Sequence, residues 1–273
     1  MAGDPGALVA SVDWSYGSKL SAQKGLVMKR LWQTLVSIWV WFVFGLGTIL
    51  AIPFMLVLYI LTFRDPGHYW VGWVLRRVGW FTWRLNPMWS VRVSGYHVEN
   101  PRHPYVVVSN HESFADILLL CNLPWEMKWM SKVEILRIPI MGWLMRLAGD
   151  IGVDRGSRES AVRALEQSRQ ALRNKTSVMI FPEGTRSTGD EMLPFKDGAF
   201  RLAIKSGTPI LPLAITGTRD ALAKHDWRFG PADAAIRVLP PVEVKGLTIK
   251  DVDRVKQSVW AAIAGAREEM RRE

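Results

Sequence analysis

The sequence predicts an α/β fold, a mostly parallel sheet flanked by helices, preceded by a membrane-embedded helical hairpin. Three observations carry this. After residue 90, short β-branched apolar runs alternate with segments of helical periodicity, the pattern of a parallel sheet. Before them lies an uncharged run of 33 residues, Leu31 to Phe63. A chain of 273 residues with one cysteine must also fold by packing alone: Cys121 has no internal partner, and no Cys/His cluster shows zinc-ligand spacing. A lone thiol suits a reducing compartment, so the functional side is expected to face the cytosol.

Residues 1–30 read as a basic N-terminal segment, with Lys24, Lys29 and Arg30 ahead of the apolar run. As one helix, residues 31–63 would be about 50 Å long, against a hydrocarbon core of roughly 30 Å. Gly45-Leu46-Gly47 divides the run and Pro53 adds a kink site, so the expected form is a hairpin dipping into one leaflet. A single tilted span is the alternative. Arg64, Arg76 and Arg77 follow the run, and positive charge on both flanks places both ends on the cytoplasmic side. The run is too long, and starts too late, for a cleaved signal peptide.

Residues 64–90 interleave Trp70, Trp73, Trp80, Trp83 and Trp89 with Arg76, Arg77 and Arg84. On a helix, Trp73, Arg76, Arg77 and Trp80 share one broad face, so the segment is expected at headgroup level with its basic heads on phosphates. Burial in a core is the competing reading.

The α/β domain is expected over 91–273. Residues 91–98, 105–109, 177–182, 210–215 and 235–240 read as strands, most of them buried. Ser113 to Asn122, Ser157 to Asn174 and Phe195 to Ser206 read as helices between them. Ile249 to Met270 closes the chain as a packing helix with Ile249, Val252, Val255, Val259 and Ile263 on one stripe. Lys plus Arg is 35 against 25 Asp plus Glu, a net charge of +10 that suits nucleic acid, anionic lipid or an acidic partner. The 14 tryptophans, and basic residues gathered beside the apolar run, favour the membrane surface over nucleic acid.

The chemistry-bearing residues follow strands, where open α/β sheets place ligands. Asn110-His111-Glu112-Ser113-Phe114-Ala115-Asp116 follows the second strand. On one regular helix His111 and Asp116 would lie about 140° apart, so they meet only if His111 sits in the loop and Asp116 in the first helical turn. The same residues also read as a plain capping box on Ser113 and Asp116. Phe181-Pro182-Glu183-Gly184-Thr185-Arg186-Ser187 follows another strand and offers a close backbone approach at Gly184 and a planar fork at Arg186, though Glu183 and Arg186 could also simply pair across a turn. Gly149 to Arg155 brings a further arginine, and Ile210 to Ile215 a fourth apolar block.

In this order the blocks resemble the glycerolipid acyltransferases typified by 1-acyl-sn-glycerol-3-phosphate acyltransferase. NHESFAD at 110–116 is similar to the family's N-H-x4-D block, GDIGVDR at 149–155 to its second, FPEGTRS at 181–187 to its third and ILPLAI at 210–215 to its fourth. The resemblance implies that His111 is the general base and Asp116 its orienting partner. It implies that Arg155 and Arg186 bind the acceptor phosphate, that Glu183, Gly184 and Thr185 position its glycerol, and that Lys132 lies near the phosphate. Val153-Asp154 stands where the family often has an aromatic residue and isoleucine, which bears on acceptor identity. The implied reaction acylates the sn-2 hydroxyl of lysophosphatidic acid directly, with no cofactor beyond the co-substrate, an acyl carrier protein or coenzyme A thioester. The implied partners are that donor, lysophosphatidic acid and membrane lipid, with no nucleic acid and no metal. The implied place is the cytoplasmic face of a bacterial inner membrane. Alternatives are another acceptor, a lysophospholipid or lyso-ornithine lipid, or a non-catalytic membrane scaffold.

Overall fold

The computed structural model describes residues 14–187, 189–223 and 226–273. Residues 1–13 of the expected basic segment, and the side chain of Lys24, lie outside the described residues.

Helix α1 (Trp14–Leu61) runs unbroken for 48 residues, and α2 (Tyr69–Arg84) returns alongside it. Tyr59 stacks on His68 at one end, and the Trp39 indole donates to the Leu85 carbonyl at the other, so the two helices are antiparallel. The expected turn at Gly45-Leu46-Gly47 does not form. A turn there would leave peptide groups without partners in an apolar setting, whereas a continuous helix satisfies them internally. The chain reverses instead at residues 62–68, in the polar Arg64-Asp65-Pro66-Gly67, where Asp65 accepts from the N–H groups of Gly67 (3.1 Å) and Tyr69 (3.3 Å). Gly47 permits close helix packing, since a Cβ there would lie 3.3 Å from a Val78 methyl. Residues 31–61 therefore form one helix and not the expected hairpin, and the antiparallel pair is α1 with α2.

The sheet comprises β1 (Trp89–Gly95), β2 (Val106–Ser109), β3 (Met127–Lys132), β4 (Ile151–Val153), β5 (Ser177–Ile180), β6 (Ile210–Thr216) and β7 (Ala232–Val238). Their order is β1-β7-β6-β2-β5-β3-β4, and every pairing is parallel except β6 with β7. Helices α3 (Ala115–Leu120), α4 (Met141–Leu147), α5 (Arg158–Arg173), α6 (Gly198–Ser206) and α7 (Val252–Arg272) complete the chain. The sequence pattern anticipates all of these but β3, β4 and α4.

Alternating strand residues face two cores. Val106, Val108, Val178 and Ile180 pack under α5, α6 and α7, among Leu172, Phe200, Leu202 and Val259. Val107, Met127, Trp129 and Met179 pack on the other side, among Leu119, Leu120, Trp83, Val36 and Val40. Helix α1 thus contributes to the sheet's own core. Ala51 and Met55 continue its buried stripe into a third cluster with Val71, Leu75 and Leu144. The opposite face exposes Trp32, Leu35, Phe42, Leu46, Ile49 and Phe54. Residues 25–61 form the one helical stretch among the described residues long and apolar enough to cross a membrane, which gives the chain a membrane-associating surface.

Helix α2 divides the expectations made for residues 64–90. Arg76 does not reach toward headgroups: it is buried, paired with Asp150 and with Glu126 (3.4 Å), and its guanidinium lies over the Trp129 ring. Trp83 and Trp89 are buried with it. Those carboxylates arrive from 50 and 74 residues downstream, so helix geometry alone does not reveal them. Arg77 lies over Trp73 (4.9 Å) and Trp80 (5.6 Å) but turns inward, donating to the carbonyls of Cys121 and Leu123 (3.4 Å each), so the outer face is left to Trp70, Phe81 and Arg84.

Candidate active site

At the carboxyl end of β2, Asn110 bridges to β6, donating to the Ile215 carbonyl (3.0 Å) and accepting its N–H (2.9 Å). This ties the first block to the fourth. His111 then lies in the loop and Asp116 in the first turn of α3, with His111 Nδ1 2.8 Å from Asp116 Oδ2. The same oxygen accepts the N–H groups of Glu112 (2.7 Å) and Ser113 (3.0 Å), while the Thr218 hydroxyl donates to Oδ1. One fully buried carboxylate therefore gathers the turn ahead of the helix and holds the imidazole. Of the expected capping box only half forms: Asp116 takes the Ser113 N–H, but the Ser113 hydroxyl donates to the Leu222 carbonyl and the Phe114 N-cap has no side-chain bond.

With Nδ1–H donating to Asp116, Nε2 is the basic nitrogen, and among the described residues nothing hydrogen-bonds to it. The imidazole stacks on Phe181 with ring centroids 4.0 Å apart and planes 14° from parallel. A protonated ring there would lie against the aromatic face, a favourable cation–π arrangement. Phe181 follows β5 directly, and the sheet order sets β5 beside β2.

The third block is clamped to the first. Glu183 is buried, and its two oxygens accept the N–H groups of His111 (2.8 Å) and Leu193 (3.0 Å). Burial pushes its pKa up, against the pull of those two donors. Each oxygen is engaged by one main-chain donor, so Glu183 shapes the catalytic loop, and the turn pairing with Arg186 does not form. Ser187 N–H donates to the His111 carbonyl (2.9 Å), completing the clamp. Gly184 has φ +73°, a left-handed conformation that favours glycine, and a Cβ there would meet the Lys196 ammonium at 2.7 Å.

The expected phosphate ligands separate. Arg155 and Gly184 line a cavity of about 150 Å³ together with Lys196. Thr185 and Arg186 line another of about 280 Å³ together with Glu112 and Arg219. Lys132 ends β3, exposed and 3.2 Å from Glu134. Thr218, Lys196 and Arg219 are the residues that sequence reasoning missed. Thr218 and Arg219 directly follow β6, an edge identifiable as the site's neighbour only once the strand order is known. Glu112 is buried against Arg267 of α7, and its pKa is raised by burial.

Beside Phe114, an apolar cavity runs between α1, α2, α3 and α4, past Ile117, Gly79 and Cys121 to Met141 and Met145. Burial pushes the Cys121 thiol up to about 12. The site therefore presents a free imidazole nitrogen and cations in two neighbouring cavities, with an apolar cavity of about 90 Å³ bordered by Phe114.

A family model described as Acyltransferase matches residues 90–216. Human 1-acyl-sn-glycerol-3-phosphate acyltransferase alpha is 40% identical over 175 residues, 62% of this chain and 62% of that protein. The 1-acyl-sn-glycerol-3-phosphate acyltransferase of Saccharomyces cerevisiae is 31% identical over 192 residues, 68% of this chain and 63% of that one. The chain thus spans less than two thirds of the length of these curated relatives. The crystal structure of the 1-acyl-sn-glycerophosphate acyltransferase PlsC from Thermotoga maritima shares the fold, with a TM-score of 0.77 at 24% identity over 90% of this chain and 98% of that one. All four sequence blocks fall within the matched stretch.

Proposed function

We propose that the protein transfers a fatty acyl group from a thioester donor, acyl-acyl carrier protein or acyl-coenzyme A, to the sn-2 hydroxyl of 1-acyl-glycerol-3-phosphate, giving phosphatidic acid. The observation that carries this is the His111–Asp116 pair, whose Nε2 is left unengaged among the described residues. Nε2 takes the hydroxyl proton as the acceptor oxygen attacks the thioester carbon. The tetrahedral intermediate collapses with loss of thiolate, which the imidazolium protonates. Asp116 and the face of Phe181 stabilise the imidazolium between these steps. No acyl-enzyme forms, because the acceptor itself is the nucleophile.

Arg186 is the phosphate ligand we favour, since the adjacent Ser187 is hydrogen-bonded to the catalytic loop. Arg155 and Lys132 are the outer cations, and Thr185 and Gly184 border the acceptor. The apolar cavity, about 90 Å³, takes the first few methylenes of an acyl chain at about 0.8 kcal/mol per buried CH₂.

The proposed place is the cytoplasmic face of a bacterial inner membrane; association with a membrane is what helix α1 supports. Its buried stripe, from Val36 to Met55, lies against the domain for about 28 Å, so the helix rests half-immersed in one leaflet beside α2. Acyl transfer to lysophosphatidic acid in micelles tests the reading, with lysophosphatidylcholine and a lyso-ornithine lipid as competing acceptors. The expected product is phosphatidic acid, lost at least a hundredfold in His111→Ala; turnover retained in that variant overturns the general-base assignment.

A further inference from the structure

The segment that joins β6 to β7 is fastened at its far end to the membrane helix. The Trp41 indole of α1 donates to the Trp227 carbonyl (2.9 Å), and the Phe229 N–H donates to the Ser37 hydroxyl (2.8 Å). Ser37 and Trp41 are one helical turn apart and share a face. The Phe229 ring packs on Trp41 (5.2 Å) and on Trp89 (5.1 Å), so the anchorage is built from both sides. The Trp227 side chain is left outside it, 50% exposed, level with Trp41 in the first third of the apolar run.

We infer that Trp227 is a membrane-interface contact supplied by the catalytic domain itself, its indole seated among lipid headgroups beside α1. The inference rests on the reading of α1 as leaflet-embedded. A residue whose carbonyl bonds to an embedded helix shares that helix's depth, and its surroundings continue the exposed apolar surface of Trp39, Trp41 and Phe42. Tryptophan is suited to that depth because its ring is apolar and its N–H polar. The neighbouring Asp226–Arg228 pair (3.2 Å) is partly exposed and places charge at the polar edge of the contact. The same segment reaches the catalytic pair. Leu222 bridges to Phe229 and its carbonyl accepts the Ser113 hydroxyl (3.3 Å), while Thr218 holds Asp116. Contact at Trp227 therefore sets the catalytic loop at a fixed height above the lipid from which the acceptor comes.

The test uses the full chain carrying Trp227→Cys, labelled with an environment-sensitive fluorophore and bound to vesicles of three parts phosphatidylcholine to one part phosphatidylglycerol with brominated acyl chains. The substitution keeps the backbone carbonyl that Trp41 binds. Native Cys121 is buried and unreactive at neutral pH. Leu50→Cys on α1 and Arg163→Cys on α5 serve as embedded and solvent references. Quenching at 227 within about twofold of that at 50, with none at 163, is the expected result. Quenching at 50 but not at 227 overturns the inference and leaves the embedded helix standing; no quenching at either position overturns both. In activity, Trp227→Asp should raise KM at least fivefold for bilayer-borne acceptor and leave kcat/KM for a short-chain soluble acceptor unchanged. An equal loss on both acceptors overturns the membrane role.

Discussion

Replacing Asp116 by Asn isolates the charge of the catalytic pair. The Asn carbonyl can occupy the place of Oδ2, where three donors converge from His111, Glu112 and Ser113. Its amide then falls at Oδ1, opposite the Thr218 hydroxyl, which can rotate to accept. The turn and the imidazole orientation survive, and only the negative charge beside the forming imidazolium is lost. For charge centres about 4 Å apart at an effective dielectric of about 20, that is about 4 kcal/mol. It corresponds to about a thousandfold in kcat. Asp116→Ala, by contrast, strands two buried N–H groups and a hydroxyl, at about 1–3 kcal/mol each, and should also unfold more readily. The assay is acyl transfer to lysophosphatidic acid under saturating donor, with thermal unfolding measured in parallel. A loss below tenfold in a normally folded Asn variant would refute the electrostatic role, and an equal fall in melting temperature for Asn and Ala would refute the geometric argument.

Glu183→Gln should destabilise the fold by about 1–3 kcal/mol in denaturant titration, because its amide must face one of two main-chain donors, and KM for the acceptor should change little. A raised KM at unchanged stability would restore the glycerol contact. Phe181→Leu should lower kcat by roughly tenfold, from a cation–π contribution of about 0.5–2 kcal/mol, while Phe181→Trp retains activity; equal rates in both variants would show the stack to be only packing. With its thiol at about 12, Cys121 should react with a disulfide reagent at pH 8 roughly a thousandfold more slowly than a free thiol until the protein is denatured. Arg186→Ala should raise KM for a phosphate-bearing acceptor and spare an uncharged one, which parallel kinetics on the two acceptors would show.

What was legible in the sequence was local. The runs at 105–109, 177–182 and 210–215 are buried strands bordered by turns, and His111 and Asp116 can meet only across a loop-to-helix junction, so periodicity and spacing suffice for them. Met127 to Lys132 hides as a strand because it carries Lys128 inward, where Glu126 and the carbonyls of His68 and Ala148 receive it. Arg76 misleads for the same reason, its partner Asp150 lying 74 residues away. The hairpin turn was misplaced because two glycines looked like a break, whereas an apolar surrounding penalises a turn that leaves peptide groups bare. Thr218 and Lys196 become functional candidates only through strand order and the packing around Gly184.

The fastening of α1 to the β6–β7 segment also constrains how the protein is made. Ser37 and Trp41 emerge early in synthesis, yet their partners Phe229 and Trp227 follow 192 and 186 residues later. Until then the nascent helix carries an uncovered indole N–H and an unfilled stripe at Val36 and Val40, which lipid and headgroup water must shelter. On the proposed leaflet-embedded placement of α1, the β6–β7 segment closes onto a helix already resting in the bilayer and native assembly is completed at the membrane surface. A chain released into water before residue 229 is added would hold the stripe at Val36 and Val40 open beside the exposed apolar face of the same helix.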